Sequence, residues 1–175
     1  MLISRTIALV LMFTPLAIII TYMDVRYRRI PNKLVLILLI GGLFLNSVFG
    51  GINGLLTSLG GCAIAFGVMF VLHLFGTMGA GDVKLCAAVG AVIGATSVLP
   101  TLMIIALIGG VLAVLKMIQT RRVATTMFGV LQVFSGLLPG HTVPRVAVPA
   151  DRSYTLPYAV PICFGSIVSF FLFRA

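Results

Sequence analysis

The sequence contains very few charged residues and no glutamate. Only 9% of its 175 residues are charged, whereas soluble domains carry roughly 25%. Twelve Lys and Arg stand against three acidic residues, Asp24, Asp82 and Asp151, which gives a formal net charge of +9. So little charge excludes a soluble enzyme and a disordered chain, and three cysteines spread along the chain exclude a disulfide scaffold.

Long apolar runs fill the rest of the chain. Hydrophobic residues make up 61% of it, and the mean hydropathy is +1.24. Because apolar stretches of about 17–25 residues suit a bilayer-crossing helix, we predict an all-α integral membrane protein with a single polytopic domain over residues 1–175. The six predicted spans are Thr6–Met23, Leu34–Phe49, Leu55–Phe75, Val83–Val98, Pro100–Met117 and Leu156–Phe173.

The basic residues predict the orientation of these spans. Cytoplasmic loops collect Lys and Arg, and placing the loop after the first span inside puts all basic residues except Arg5 and Arg174 on the cytoplasmic face. We therefore expect a multi-pass protein of the cell inner membrane with both termini outside. All three aspartates then lie at the cytoplasmic face.

The segment before the last span leaves two interpretations open. Between Val123 and Leu138, apolar residues recur with helical spacing, which fits an amphipathic helix lying in the membrane interface. A loop with a hydrophobic patch fits equally well.

Two of the aspartates suggest chemistry. Asp24 closes the first predicted span and Asp82 opens the fourth, so their carboxylates can converge if these helices pack together. Two neighbouring carboxylates tend to share one proton, which suits them to general acid–base hydrolysis of a peptide bond. The structural alternatives are that Asp82 is a helix N-cap and that Asp24 pairs with Arg26 or Arg28.

Three segments of the chain form recognisable motifs, Asp24–Asn32 (DVRYRRIPN), Gly79–Lys84 (GAGDVK) and Leu156–Ala159 (LPYA). In that order they resemble the first aspartate motif, the Gly-x-Gly-Asp motif and the start of the last helix of the prepilin peptidases, the type IV leader peptidase family. The resemblance implies a membrane aspartic endopeptidase that cleaves the leader of prepilins or pseudopilins at the cytoplasmic face, with Asp24 and Asp82 as the catalytic pair.

The chain also departs from the larger family members. These carry two Cys-x-x-Cys pairs and methylate the new N-terminus, whereas Cys62, Cys86 and Cys163 are isolated in apolar runs and give no metal-binding spacing. We expect peptidase activity without methylation, as in the compact enzymes of Flp-type (tight-adherence) pili, and neither metal nor cofactor. The presenilin-like proteases share Gly-x-Gly-Asp, but their first motif is Tyr-Asp, and here Met23 precedes Asp24.

Five residues are predicted to support the pair. Gly79 and Gly81 allow close backbone approach, Pro31 ends the first loop, and Asn32 caps the second span. Lys84 is interpreted mainly as a topology residue whose side chain reaches the interface, with contact to the leader or to a lipid headgroup as the alternative.

Other polar residues receive no catalytic role at this stage. His73 and His141 have no metal-like neighbours in the sequence. Asp151 is expected to pair locally with Arg152.

The predicted partners are a prepilin or pseudopilin substrate, the lipid bilayer and the pilus or secretion assembly machinery. Nucleic acid is not expected, since the basic residues follow the topology. Two other functions stay open: a small proton- or cation-coupled transporter that uses Asp24 and Asp82, and a non-catalytic assembly subunit.

Overall fold

The computed structural model describes residues 2–76, 78–120 and 157–173. Within these ranges all regular structure is helical, so the all-α prediction is confirmed. The helices are α1 Leu2–Tyr27, α2 Asn32–Leu74, α3 Ala80–Ile93, α4 Ala95–Thr120 and α5 Ala159–Leu172. The predicted interfacial helix at Val123–Leu138, together with His141 and Asp151, lies outside the described residues.

The prediction of six spans is wrong. Three of the described helices are long and apolar enough to cross a membrane, over Arg5–Tyr27, Asn32–Leu74 and Ala95–Lys116. Helices α3 and α5 have only 14 residues each, which at 1.5 Å per residue is about 21 Å against a hydrocarbon core of about 30 Å. The predicted second and third spans lie in the two halves of α2, on either side of the non-helical residue Gly51.

Helix α2 is interrupted at Gly51, where the chain doubles back. Gly51 has φ 59° and ψ −144°, a conformation that glycine adopts without the steric cost of a side chain. On either side of it, Asn46 and Ser58 both donate a hydrogen bond to the carbonyl of Ala91. In a straight helix they would stand about 18 Å apart, so the two halves of α2 must fold against the same end of α3.

Helix α3 lies at the centre of the described fold. Ten of its 14 residues are buried, as expected of a helix that is apolar on every side. It packs against α2, α4 and α5, and α1 packs against α2 and α5. At the contact with α2, a side chain on Gly61 or Gly90 would collide with the carbonyl oxygen of the other, so small residues set this close approach.

Several helix ends differ from their predicted positions. Helix α1 continues past Met23 to Tyr27, because charged residues at the end of a span do not by themselves stop a helix. Helix α3 ends at Ile93 rather than Val98, since Gly94 takes the left-handed φ of 89°. Helix α4 consequently begins at Ala95, with Pro100 inside it.

Candidate active site

Asp24 lies in the last turn of α1 and is held by the start of α5. Its side chain is buried, with 8% of its surface exposed. Its Oδ2 accepts a hydrogen bond of 3.1 Å from the backbone N–H of Ala159, the first residue of α5. The first N–H groups of a helix have no partner within the helix, and the helix dipole favours a carboxylate there. The N-terminus of α5 therefore fixes the orientation of Asp24.

Asp82 lies in the first turn of α3, where Gly79 is the N-cap. The Asp82 N–H donates to the Gly79 carbonyl at 3.1 Å, and the Gly79 backbone in turn hydrogen-bonds the Asp82 carboxylate. This reciprocal pattern resembles a capping box, in which an acidic side chain in the first turn reaches back to the N-cap N–H. The alternative that Asp82 is itself the N-cap is therefore wrong.

The two aspartates line the same cavity, whose volume is about 390 Å³. They reach it from helices that share α2 and α5 as neighbours. Besides the two acids, the lining residues are Arg28, Arg29, Ile30, Asn32, Gly79, Gly81 and Lys84. The arrangement is thus a pair of carboxylates in a pocket with basic residues in its wall.

Burial and the neighbouring charge both act on Asp82, which lies outside the three long apolar helices. The pKa of Asp82 is raised from 3.8 to about 6, mainly by burial and to a lesser extent by the charge of Asp24. The hydrogen bond from the Gly79 backbone acts in the opposite direction and lowers the pKa. Burial and the charge of Asp82 also raise the pKa of Tyr158, the residue before α5. The Asp82 carboxyl can therefore hold a proton at a pH where an ordinary aspartate is ionised.

Comparison with known proteins decides the family. A sequence profile of the type IV leader peptidase family matches residues 11–114, which is more than half of the chain and includes both aspartates. The chain belongs to this family. Membership and the apolar helices together fit a multi-pass protein of the inner membrane.

One curated relative is the prepilin leader peptidase/N-methyltransferase of Escherichia coli (strain K12). The two sequences are 36% identical over 116 residues, which covers 61% of this chain and 50% of that protein. The chain therefore matches about half the length of this relative. No solved structure matches the chain.

The glycines of the Gly-x-Gly-Asp motif have unequal surroundings. A Cβ on Gly79 would lie 3.0 Å from Oδ2 of Asp82, tighter than nearly all real contacts. A Cβ on Gly81 would meet Ile30 at 3.5 Å, an ordinary van der Waals distance. Of the two glycines, only Gly79 is at a position where an added side chain would press on the Asp82 carboxylate.

The other predicted supporting residues line the cavity or adjoin a residue that does. Lys84 and Asn32 are among its lining residues, and Pro31 is the N-cap of α2, where its carbonyl accepts the N–H groups of Leu34 and Val35. The predicted capping by Asn32 is wrong, because α2 begins with Asn32 and has no side-chain cap. The positive charge of Arg28 interacts electrostatically with the Asp24 carboxylate.

Sequence reasoning missed the groups that hold the two carboxylates. The motif Leu156–Ala159 resembles the start of the family's last helix, but nothing in its side chains indicates that the Ala159 N–H faces Asp24. His73, which received no role, contacts the loop that leads to Asp82, with its Nδ1 2.8 Å from the Met78 carbonyl oxygen. Backbone donors and acceptors have no sequence signature, so only the structure reveals these contacts.

The cysteines lie on three different helices, Cys62 on α2, Cys86 on α3 and Cys163 on α5, and all three are free thiols. Within the described ranges, no three His, Cys, Asp or Glu side chains are grouped so that they could hold a metal ion.

Proposed function

We propose that this chain is a membrane-embedded aspartic endopeptidase that cleaves the leader peptide from prepilins or pseudopilins. The observation that carries the proposal is the pair of carboxylates, Asp24 and Asp82, in the wall of one cavity within the family-matching region. Proton sharing between such carboxylates suits general acid–base chemistry on a peptide bond.

The environments of the two carboxyls support a division of roles. Asp82, with its raised pKa, is the member that holds the shared proton. Asp24 then remains the carboxylate, with Oδ2 held by the Ala159 N–H, and it is the member that takes a proton from a water molecule. In a dyad that shares one proton, the ionised member acts as base and the protonated member as acid.

The reaction then runs in two steps. Asp24 takes a proton from water as the oxygen attacks the scissile carbonyl carbon, while Asp82 donates its proton to the carbonyl oxygen. In the second step, the proton on Asp24 passes to the leaving nitrogen, the C–N bond breaks, and a hydroxyl of the tetrahedral intermediate returns its proton to Asp82. Atoms and charges balance without a metal ion or a cofactor.

Family membership supports the substrate class. A prepilin carries a short hydrophilic leader before a long apolar helix, and that helix can lie against this protein in the bilayer with the junction at the two aspartates. Residues near the scissile bond must unwind to reach them, which a glycine there makes easier. Methylation of the product is not proposed.

The basic residues around the cavity support a cytoplasmic location of the site. Arg28, Arg29 and Lys84 line it, and Lys and Arg accumulate on the cytoplasmic side of membrane proteins. The proposed location is the inner membrane with both termini outside, and the proposed partners besides the substrate are the lipid bilayer and the pilus or secretion assembly machinery.

Coexpression with a candidate prepilin tests the proposal. We expect the wild type to shorten the precursor at one site, as determined by intact mass, and Asp24→Asn or Asp82→Asn to leave it uncut although the protein accumulates in the membrane. Asp151→Asn is the matched control, because it removes the remaining acidic side chain of the chain. Normal processing by either of the first two variants would refute the shared mechanism, and precursor left uncut by the wild type would favour the assembly-subunit alternative.

A further inference from the structure

The imidazole of His73 contacts the loop between α2 and α3. His73 is partly buried in the last turn of α2, beside the ring of Phe70 at a centroid distance of 6.3 Å. Its Nδ1 lies 2.8 Å from the carbonyl oxygen of Met78. Since a carbonyl oxygen can only accept, Nδ1 must carry the hydrogen and donate it.

The Met78 carbonyl belongs to the same peptide unit as the Gly79 N–H. In a trans peptide, C=O and N–H point in opposite directions and rotate together as one plane. Holding the carbonyl with His73 therefore fixes the direction of the N–H on the other side. That side faces Asp82, whose carboxylate is hydrogen-bonded by the Gly79 backbone.

We propose that His73 is a positioning residue that orients Asp82 through the Met78–Gly79 peptide. The role in catalysis rests on the proposed function, whereas the contact itself does not. Hydrogen bonds in series polarise one another, so the imidazole also makes the Gly79 N–H a stronger donor to the carboxylate.

The end of α2 is closed by backbone hydrogen bonds and not by the imidazole. These bonds run from Gly76 N–H to the His73 carbonyl at 2.8 Å and from Phe75 N–H to the Val71 carbonyl at 3.4 Å. Gly76 makes the turn with a φ of 71°. The hydrogen bond from the His73 ring therefore serves to orient the Met78–Gly79 peptide, which precedes α3.

Besides His73, charged and titratable groups from α1, from the loop after it, from α3 and from the segment before α5 interact with Asp82 or line its cavity. They are Asp24 on α1, Arg28 and Arg29 in the loop, Lys84 and Cys86 on α3, and Tyr158 before α5. A test of His73 must leave all of these groups unchanged except Asp24, which is replaced in the same way in every sample of the titration.

Two substitutions of His73 separate positioning from packing. His73→Asn keeps an N–H donor close to the place of Nδ1, and His73→Leu removes the donor but keeps a side chain of similar size. Both replacements are neutral. In the active protein we expect His73→Leu to lower kcat about tenfold with KM unchanged, as for a misplaced catalytic group, and His73→Asn to restore most of the rate.

A titration of Asp82 tests the contact without relying on activity. The full chain with Asp24→Asn and Asp151→Asn contains Asp82 as its sole acidic side chain, so the infrared carboxyl band of 13C-labelled aspartate reports Asp82 alone. Adding His73→Leu should raise the protonation midpoint by about half a pH unit or more, because the charged form loses part of its hydrogen bonding. Adding His73→Asn should leave the midpoint unchanged.

The outcomes separate this inference from the proposed function. Equal midpoints for the parent and for His73→Leu, or equal shifts for Leu and Asn, would overturn the role of His73. If the wild-type protein cuts no prepilin, the proposed function fails, but the titration still decides whether His73 acts on Asp82.

Discussion

The two ends of α3 show the same electrostatic principle used for different purposes. At the N-terminus, Asp82 lies where the helix dipole favours a negative charge, and at the C-terminus the carbonyls of Ala91 and Val92 accept hydrogen bonds. The first end opens into the cavity with Asp24. The second end is closed by a hydrogen-bonded cluster of Arg5, Asn46 and Ser58, here called the Arg5–Asn46 cluster.

The difference lies in how completely the polar groups are satisfied by the protein. Asn46 is fully buried, its Oδ1 accepts two hydrogen bonds from Arg5, and its Nδ2 donates to both carbonyls of α3. At the other end, two carboxyl groups face one cavity, and the charge of Asp24 disfavours the ionised form of Asp82. We infer that the Arg5–Asn46 cluster stabilises the fold, whereas the aspartate end retains reactivity at some cost in stability.

The largest expected effect comes from replacing Asp82 at the N-terminus of α3. Asp82→Asn should lower processing of prepilin at least about a hundredfold, the usual contribution of a general acid, without lowering thermal stability at neutral pH. The folded pKa of Asp82, about 6, is above the ordinary 3.8, so its stabilising contribution is present below about pH 4 and is lost as the pH rises through 6.

Thermal melts of the purified protein in detergent check the stability half of this prediction. The wild type should become less stable between about pH 4 and pH 6, and Asp82→Asn should lose this part of the pH dependence. Greater stability of the wild type at pH 7 than at pH 4, by an amount that Asp82→Asn abolishes, would mean that ionised Asp82 stabilises the fold, contrary to our interpretation.

The second effect concerns the Arg5–Asn46 cluster. Asn46→Leu keeps the side-chain size but leaves the Val92 carbonyl and the Arg5 guanidinium without their hydrogen bonds to Asn46. We expect the free energy of unfolding to fall by about 2 kcal/mol, the usual cost of unsatisfied buried polar groups, and the kcat of the folded protein to stay unchanged.

Asn53→Leu is the matched control for Asn46→Leu, because Asn53 lies on α2 two residues after Gly51 and is exposed. Unfolding in bicelles with a chemical denaturant should separate the two variants. Equal stability of both would show that the buried cluster contributes nothing beyond an exposed asparagine.

The third effect compares the two glycines before Asp82. Gly79→Ala should lower kcat about tenfold, because the new methyl group meets Oδ2 of Asp82 at 3.0 Å and must displace it. Gly81→Ala serves as the control for backbone stiffening, since its methyl group meets Ile30 at an ordinary distance. A greater loss with Gly81→Ala would place the critical close approach between Gly81 and Ile30 instead of at the Asp82 carboxylate.

The sequence could predict the two aspartates because their signal is in side chains. Ionisable groups beside apolar runs are rare, and the chain has only three acidic residues. The reversal at Gly51 falls between the second and third predicted spans and brings the end of α2, and with it Asp82, back to the side where α1 ends with Asp24. The two aspartates therefore reach one cavity although the predicted count of six spans is wrong.

Helix ends and backbone contacts could not be predicted from hydropathy. The boundary between α3 and α4 depends on the left-handed conformation of Gly94, while nearby glycines such as Gly90 are helical and buried for packing. A hydropathy average over a window of residues does not distinguish a glycine that ends a helix from one that packs inside it. The contacts of Ala159 with Asp24 and of His73 with Met78 use backbone atoms, so no residue type marks them.

The smallest expected effect is the change in the pKa of Asp82 when the charge of Asp24 is removed, which separates the contribution of that charge from the contribution of burial. Burial contributes more than the charge of Asp24, so Asp24→Asn should lower the pKa of Asp82 only part of the way from about 6 toward 3.8. The infrared titration of 13C-labelled aspartate in Asp24→Asn/Asp151→Asn, where Asp82 is the sole acidic side chain, should therefore give a midpoint between 3.8 and about 6. In the active wild type, kcat/KM for prepilin should correspondingly decline as the pH rises above about 6, because that ratio reports the pKa of the free enzyme. A midpoint that returns fully to 3.8 would mean that repulsion between the aspartates, rather than burial at the start of α3, keeps the proton on Asp82, and the contrast between the two ends of α3 would then depend on charge alone.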